Sequence, residues 1–379
     1  MDGSHKVTPS SEERRELPIR NEWVVDFYPT PLLLLGPPGV GKSETVRRIA
    51  EKLAISKGLR FVELDHSNFK EVLRTEGVFV FFDLRLTEVE PSDLLGVPRE
   101  EDGGITYKPQ LWSLCFSKHP GVLFLDELTN VQREDVIAAA YKLLLDRRAG
   151  NVRFRDDVWV VAAGNRPEDS SVARLLPAPL MDRVTRVDFG LPKIEEWAEY
   201  MNANGDWDTR VLAYLKRFPE DFLKPPSEPE TLENFPTPRS WTRVAQWFPR
   251  MRSENSREAL CTGNLGVEVG GKFLTFIRNP VPSPEELVQN PKKFKELSLD
   301  QKYIFTVVLS NWLREDIRRK TKKAVNLVKV MAEDDREFIM LAMITLPTKE
   351  RAVFFNELVR ADRATFMPIF RDIAQFIVA

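Results

Sequence analysis

Eight residues, Gly36-Pro37-Pro38-Gly39-Val40-Gly41-Lys42-Ser43, have the composition to hold a run of phosphates. Glycines let successive backbone N–H groups turn inward with no Cβ in the way. A lysine supplies a point charge for phosphate oxygens, and a serine hydroxyl can ligate a divalent cation. The flanks agree: the apolar run Pro31–Leu35 precedes the stretch, and Glu44–Glu51 continues it at helical spacing. A helix starting there adds the partial positive charge of its N-terminus. Strand, glycine-rich turn and helix in that order make a phosphate-binding loop, with Lys42 on the β- and γ-phosphates and Ser43 on Mg2+.

Such a site needs an acid for the metal and a base for water. Val122-Leu123-Phe124-Leu125-Asp126-Glu127 supplies both. Four apolar strand residues deliver Asp126 to the carboxyl edge of a sheet, where it would hold Mg2+ through water. Glu127, pointing the other way, would polarise the attacking water. The strand ending Ala162-Ala163-Gly164-Asn165 carries an amide to the same edge, and Asn165 is the candidate to orient that water.

The elements that must position these groups alternate along the chain. Strands are expected at 31–35, 59–64, 78–84, 122–125, 158–162 and 184–189, and helices at 43–57, 68–75, 110–118, 131–148 and 171–181. Thr129 with Gln132 reads as a capping box for the helix 131–148. Residues 87–110, punctuated by Pro91, Gly96, Pro98, Gly103, Gly104 and Pro109, read as loop. The alternation predicts an α/β fold with a parallel sheet between helices. After Leu191-Pro192 the pattern turns helical, with long amphipathic segments at 298–331, 333–345 and 349–378. The expected organisation is an N-terminal arm (1–30), an α/β core (31–190), a helical lid (191–250) and a helical C-terminal region (251–379).

Composition limits the classes. Of 379 residues, 42% are hydrophobic and 30% charged, and the net charge of −2 disfavours a general nucleic-acid coat. The two cysteines, Cys115 and Cys261, are too few for a disulfide framework or a metal cluster. The start of the chain lacks an apolar leader and no run reaches membrane-span length, so a cytoplasmic protein without a membrane partner is expected.

Gly36–Ser43, Val122–Glu127 and Ala163-Gly164-Asn165 resemble the Walker A, Walker B and sensor 1 motifs of AAA+ ATPases. Pro91-Ser92-Asp93-Leu94-Leu95-Gly96-Val97-Pro98, Leu176–Arg183 and Thr237-Pro238-Arg239-Ser240-Trp241 are similar to the MoxR branch of that superfamily. The likeness covers about residues 20–250. It implies a P-loop NTPase core that hydrolyses ATP with Mg2+ at subunit interfaces of a homo-oligomeric ring, hexameric in the family, to remodel or mature a protein client. It implies ATP between core and lid, Arg183 as the finger reaching a neighbour's nucleotide, with Arg174 as competitor, and Arg239 as sensor 2. Relatives often work with von Willebrand factor A-domain proteins. Residues 96–110 and 148–157 resemble inserts that face a pore or client, which makes Tyr107 and Phe154 candidate exposed contacts. Two other readings stand beside this one. Arg147, Arg148, Arg153 and Arg155 would suit a nucleic-acid-associated motor. A nucleotide-gated scaffold with little hydrolysis would have no use for Glu127 and Arg183.

Overall fold

The structure, a computed structural model, describes residues 20–170, 172–225 and 234–377, with side chains to Arg371. The chain divides into two compact units at Leu191-Pro192.

The first unit is built on six parallel strands: β1 (Leu32–Leu35), β2 (Arg60–Glu63), β3 (Val78–Arg85), β6 (Gly121–Asp126), β9 (Val158–Gly164) and β10 (Thr185–Asp188). Between them lie two small antiparallel hairpins, β4 (Val97–Glu101) with β5 (Gly104–Lys108) and β7 (Arg148–Ala149) with β8 (Val152–Arg153). The strand order β10-β1-β9-β6-β3-β2 puts β1, β9 and β6 side by side in the middle. These central strands are apolar on both faces because helices cover both, as parallel crossovers require. One face carries Leu32, Leu34, Phe79, Phe81, Val122 and Phe124 against Val46, Ile49 and Ala50 of the helix Lys42–Ser56. The other carries Leu33, Val80, Leu123 and Val160 against Phe116, Val136, Ala140 and Leu144.

Several expectations are corrected. The helix expected over 131–148 is α-helical at Glu134–Tyr141, continues as a wider turn over Lys142–Asp146, and stops at Arg147 with φ 51°. Its capping box does not form. Thr129 lies earlier, in the 3-10 turn Leu128–Asn130, and its hydroxyl accepts from Asn165 N at 2.8 Å instead. In the stretch 171–181 only Ala178–Met181 is helical, and Ser171 lies outside the described residues. There the Arg174 amide donates to Thr129 O at 2.8 Å rather than to a helical ladder. The expected loop 87–110 contains a short helix, Pro91–Leu95, and the β4–β5 hairpin. Segment 298–331 is two helices, Leu299–Arg314 and Ile317–Asp334, because Asp316 caps the second by accepting from Arg319 N. Of the arm expected at 1–30, residues 1–19 lie outside the described residues.

The second unit is helical. Its apolar core is continuous from Trp197 through Tyr214, Trp241 and Phe273 to Phe338 and Phe370. Inside it Asp221 is buried, its Oδ2 accepting from Tyr214 Oη at 2.6 Å and Lys272 Nζ at 2.7 Å.

Candidate nucleotide site

The loop after β1 is shaped by contacts that admit glycine alone. A Cβ on Gly36 would sit 2.0 Å from the Phe189 carbonyl oxygen, inside any allowed contact. Gly39 and Gly41 hold φ of 74° and 93°, a region that side chains disfavour. Val40 is buried, and its carbonyl accepts from Arg20 Nη1 at 2.9 Å. Arg20 also lies over the Phe189 ring, 4.5 Å from its centroid. It therefore braces the loop from a position that no motif marks.

Lys42 is 8% exposed and curls over its own loop, donating to Gly36 O at 2.8 Å and Pro37 O at 2.9 Å. It also donates to Asn165 Oδ1 at 3.2 Å. Ser43 Oγ donates to Asp126 Oδ2 at 3.0 Å. Strand order explains the gathering: β1, β9 and β6 are neighbours, so the residues just past their carboxyl ends meet. Ser43 and Asp126 offer hard oxygens of the kind magnesium takes alongside phosphate oxygens, so the donor set fits that ion.

Glu127 follows Asp126 at φ 62°, left-handed for a non-glycine residue, a conformation costing about 1–3 kcal/mol that concentrates at functional sites. Its amide donates to Asp126 Oδ1 at 2.9 Å, and its own Oε2 accepts from Thr87 Oγ1 at 2.7 Å. Asn165 is anchored from behind by Thr129, which packs so closely that a Cβ on Gly164 would lie 2.5 Å from Thr129 Oγ1. Thr87, Arg20 and the contact of Thr129 with Asn165 escaped sequence reasoning, because side chains that meet across sequence distance carry no spacing signal.

Asp83 also escaped it. Burial, then the Asp126 charge, push its carboxyl up to about 6. A signal did exist, since a carboxylate interrupts the apolar alternation Phe79-Val80-Phe81-Phe82.

The stretch that builds this arrangement, residues 32–190, matches the family model described as "ATPase family associated with various cellular activities (AAA)". Among solved structures the chain is similar to NtrX from Brucella abortus, at 12% identity over 96% of this chain and 70% of that one, with a TM-score of 0.35. It is also similar to the FIGL-1 AAA domain in complex with ADP, at 16% identity over 78% of this chain and 91% of that one, with a TM-score of 0.32. Likenesses this weak say nothing about function. No curated protein matches the sequence.

The remaining candidate residues differ in their surroundings. Arg174 is tied to its own chain, donating to Gln132 O at 3.0 Å and lying 3.9 Å from Glu134. Arg183 is exposed on the turn between Ala178–Met181 and β10, and no ion pair of its side chain occurs among the described residues. Arg239 belongs to the second unit, exposed in the first turn of the helix Pro238–Trp247, which Thr237 caps. Around the β7–β8 hairpin, Arg147 donates to Asp156 O, while Arg153 and Arg155 pair with Asp156 and Asp157. Phe154 is not an exposed contact: it is 3% exposed, wedged against Trp112 and Phe116. Tyr107 is 36% exposed, and Ile105 beside it 79%. No helix among the described residues is long and apolar enough to cross a membrane.

Proposed function

We propose that the chain is an ATP hydrolase of the MoxR-like kind that works as a ring on a protein client. The observation that carries the hydrolase reading is the meeting of Lys42, Ser43, Asp126 and Asn165 past the ends of three adjacent strands. The loop amides from Gly36 to Ser43 and the Lys42 ammonium bind the β- and γ-phosphates. Ser43 and Asp126 would hold the magnesium ion, which when bound would draw charge from the phosphate oxygens. Glu127 takes the proton of the attacking water, and Asn165 orients that water from the far side of Lys42.

The trans role goes to Arg183 rather than Arg174, because Arg174 is spent on its own backbone while Arg183 is exposed and makes no ion pair among the described residues. Arg239 as sensor 2, the hexameric ring and a von Willebrand factor A-domain partner are carried by the motif resemblance alone. The nucleic-acid reading gains nothing from the hairpin arginines, since three of the four face Asp156 or Asp157.

Two variants test the hydrolase. Lys42→Ala removes the charge that compensates the phosphates and should abolish tight ATP binding. Glu127→Gln should keep binding and lose turnover, because only the proton acceptor is gone. Parent-like ATP affinity in Lys42→Ala would remove the nucleotide site, and near-parent turnover in Glu127→Gln would move the base elsewhere.

A further inference from the structure

Strand β3 reads Val78-Phe79-Val80-Phe81-Phe82-Asp83-Leu84-Arg85. Phe79 and Phe81 face the helix that begins at Lys42, as do Val122 and Phe124 of β6. Asp83 and Asp126 continue those two rows, so both carboxylates stand on the same face at the carboxyl edge. The register sets Asp83 opposite Phe124 and Arg85 opposite Asp126, which makes the two aspartates diagonal neighbours.

Their situations differ. Both oxygens of Asp126 are engaged, one by Ser43 Oγ and one by the Glu127 amide. Asp83 Oδ1 is fully buried and accepts no hydrogen bond among the described residues. Arg85, the cation of its own row, is bonded to Glu88 at 3.2 Å toward solvent. A second carboxylate placed here costs desolvation and repulsion that Val or Phe would avoid. Within the apolar run it has no packing use.

We propose that Asp83 is a magnesium-side positioning residue, whose unpartnered oxygen receives a water of the ion's hydration shell from the strand beside Asp126. The inference rests on the reading of this site as a nucleotide site. Magnesium dehydrates reluctantly and keeps several waters when bound. Each such water is a polarised donor, and the ion's charge offsets the repulsion between the two carboxylates. No group of three or more His, Cys, Asp or Glu able to ligate an ion exists among the described residues. The contact therefore runs through water and not by direct ligation.

The test is a titration of the full chain with a fluorescent ADP analogue, in EDTA and across a range of Mg2+. Asp83→Asn should bind the analogue in EDTA as the parent does, yet need about tenfold more Mg2+ to tighten binding, the lower end for a lost partner of a metal shell. Asp83→Ser, which tolerates a different local packing, should do the same and guards against a folding defect in the first variant. A parent-like Mg2+ midpoint in either folded variant overturns the proposal, whatever happens to the melting temperature. A parent protein that binds nucleotide without any response to Mg2+ would instead sink the magnesium part of the hydrolase reading.

Discussion

Thr87 donates its hydroxyl hydrogen to Glu127 Oε2 at 2.7 Å, from the turn Leu86–Glu88 that follows β3. The proposed base is thus held by a residue outside the motif that contains it. That bond occupies Oε2, the oxygen that would take the proton, and must give way before water can be deprotonated there. Thr87→Val keeps the side-chain shape and removes the donor. Basal ATP turnover should rise by roughly threefold to tenfold, a part of the ~1.5–3 kcal/mol that a hydrogen bond to a charged group carries. Nucleotide affinity should stay where it was. Steady-state kinetics and a binding isotherm check both halves. A fall in turnover would mean that Thr87 aims Glu127 instead of restraining it.

Thr129 makes the matching contact on the other side of the site. Its hydroxyl accepts the Asn165 amide, and its carbonyl accepts the Arg174 amide. Thr129→Val leaves the Asn165 N–H without its acceptor, which should cost about 1–3 kcal/mol of unfolding free energy. Because Asn165 Oδ1 meets Lys42, the displaced amide should lower turnover more than it lowers nucleotide affinity. Denaturant unfolding measures the first effect and a comparison of kcat with Kd the second. Equal losses in kcat and affinity would make Thr129 a plain packing residue.

The places of Gly36–Ser43, Asp126 and Asn165 are legible because each sits at or just past the end of an apolar strand that fixes its position. Gly36–Ser43, Asp126 and Asn165 converge simply because β1, β6 and β9 are neighbours. What escaped reading depends on side chains meeting across sequence distance. Thr87 lies 40 residues from Glu127, and Thr129 36 from Asn165, with no periodicity linking either pair. The capping box failed for the same reason: Thr129 matched a local pattern, but a distant amide took its hydroxyl. Phe154 is a candidate exposed contact only through the resemblance of residues 148–157 to a client-facing insert, and its burial overturns that expectation. At the end of β8 and just past it, Arg153 and Arg155 are exposed while Phe154 between them turns in against Trp112 and Phe116.

Arg183 gives a prediction about assembly. If its guanidinium serves a neighbouring subunit, turnover per chain should rise with protein concentration, because a lone subunit lacks the group. Arg183→Ala and Lys42→Ala chains, each inactive, should regain activity when mixed, since a shared interface can combine an intact loop with an intact arginine. Arg174→Ala chains should not be rescued this way, because Arg174 serves its own chain. Turnover that stays flat down to a proven monomer would defeat the trans arrangement.

The two inserted hairpins separate packing from contact. Phe154 fills a pocket between Trp112 and Phe116, so Phe154→Ala should cost about 3–5 kcal/mol, as truncation of a buried phenyl ring does. Its melting temperature should fall by several degrees, and any loss of activity should follow the loss of fold. Ile105 stands on the neighbouring hairpin with most of its side chain in water, so Ile105→Ser should change stability by no more than about 0.5 kcal/mol. The hairpins are joined as well: Asn151 Nδ2 donates to Thr106 Oγ1 at 2.9 Å, and a Cβ on Gly150 would strike the Leu95 carbonyl oxygen at 2.0 Å. A surface built on a braced pair of hairpins can carry force to a bound chain, whereas a loose loop cannot. Ile105→Ser should therefore leave basal turnover and the melting curve unchanged while lowering the stimulation that a captured client produces. The measurement is turnover with and without a client trapped by Glu127→Gln chains. Stimulation equal to the parent's would move the client contact off the β4–β5 hairpin.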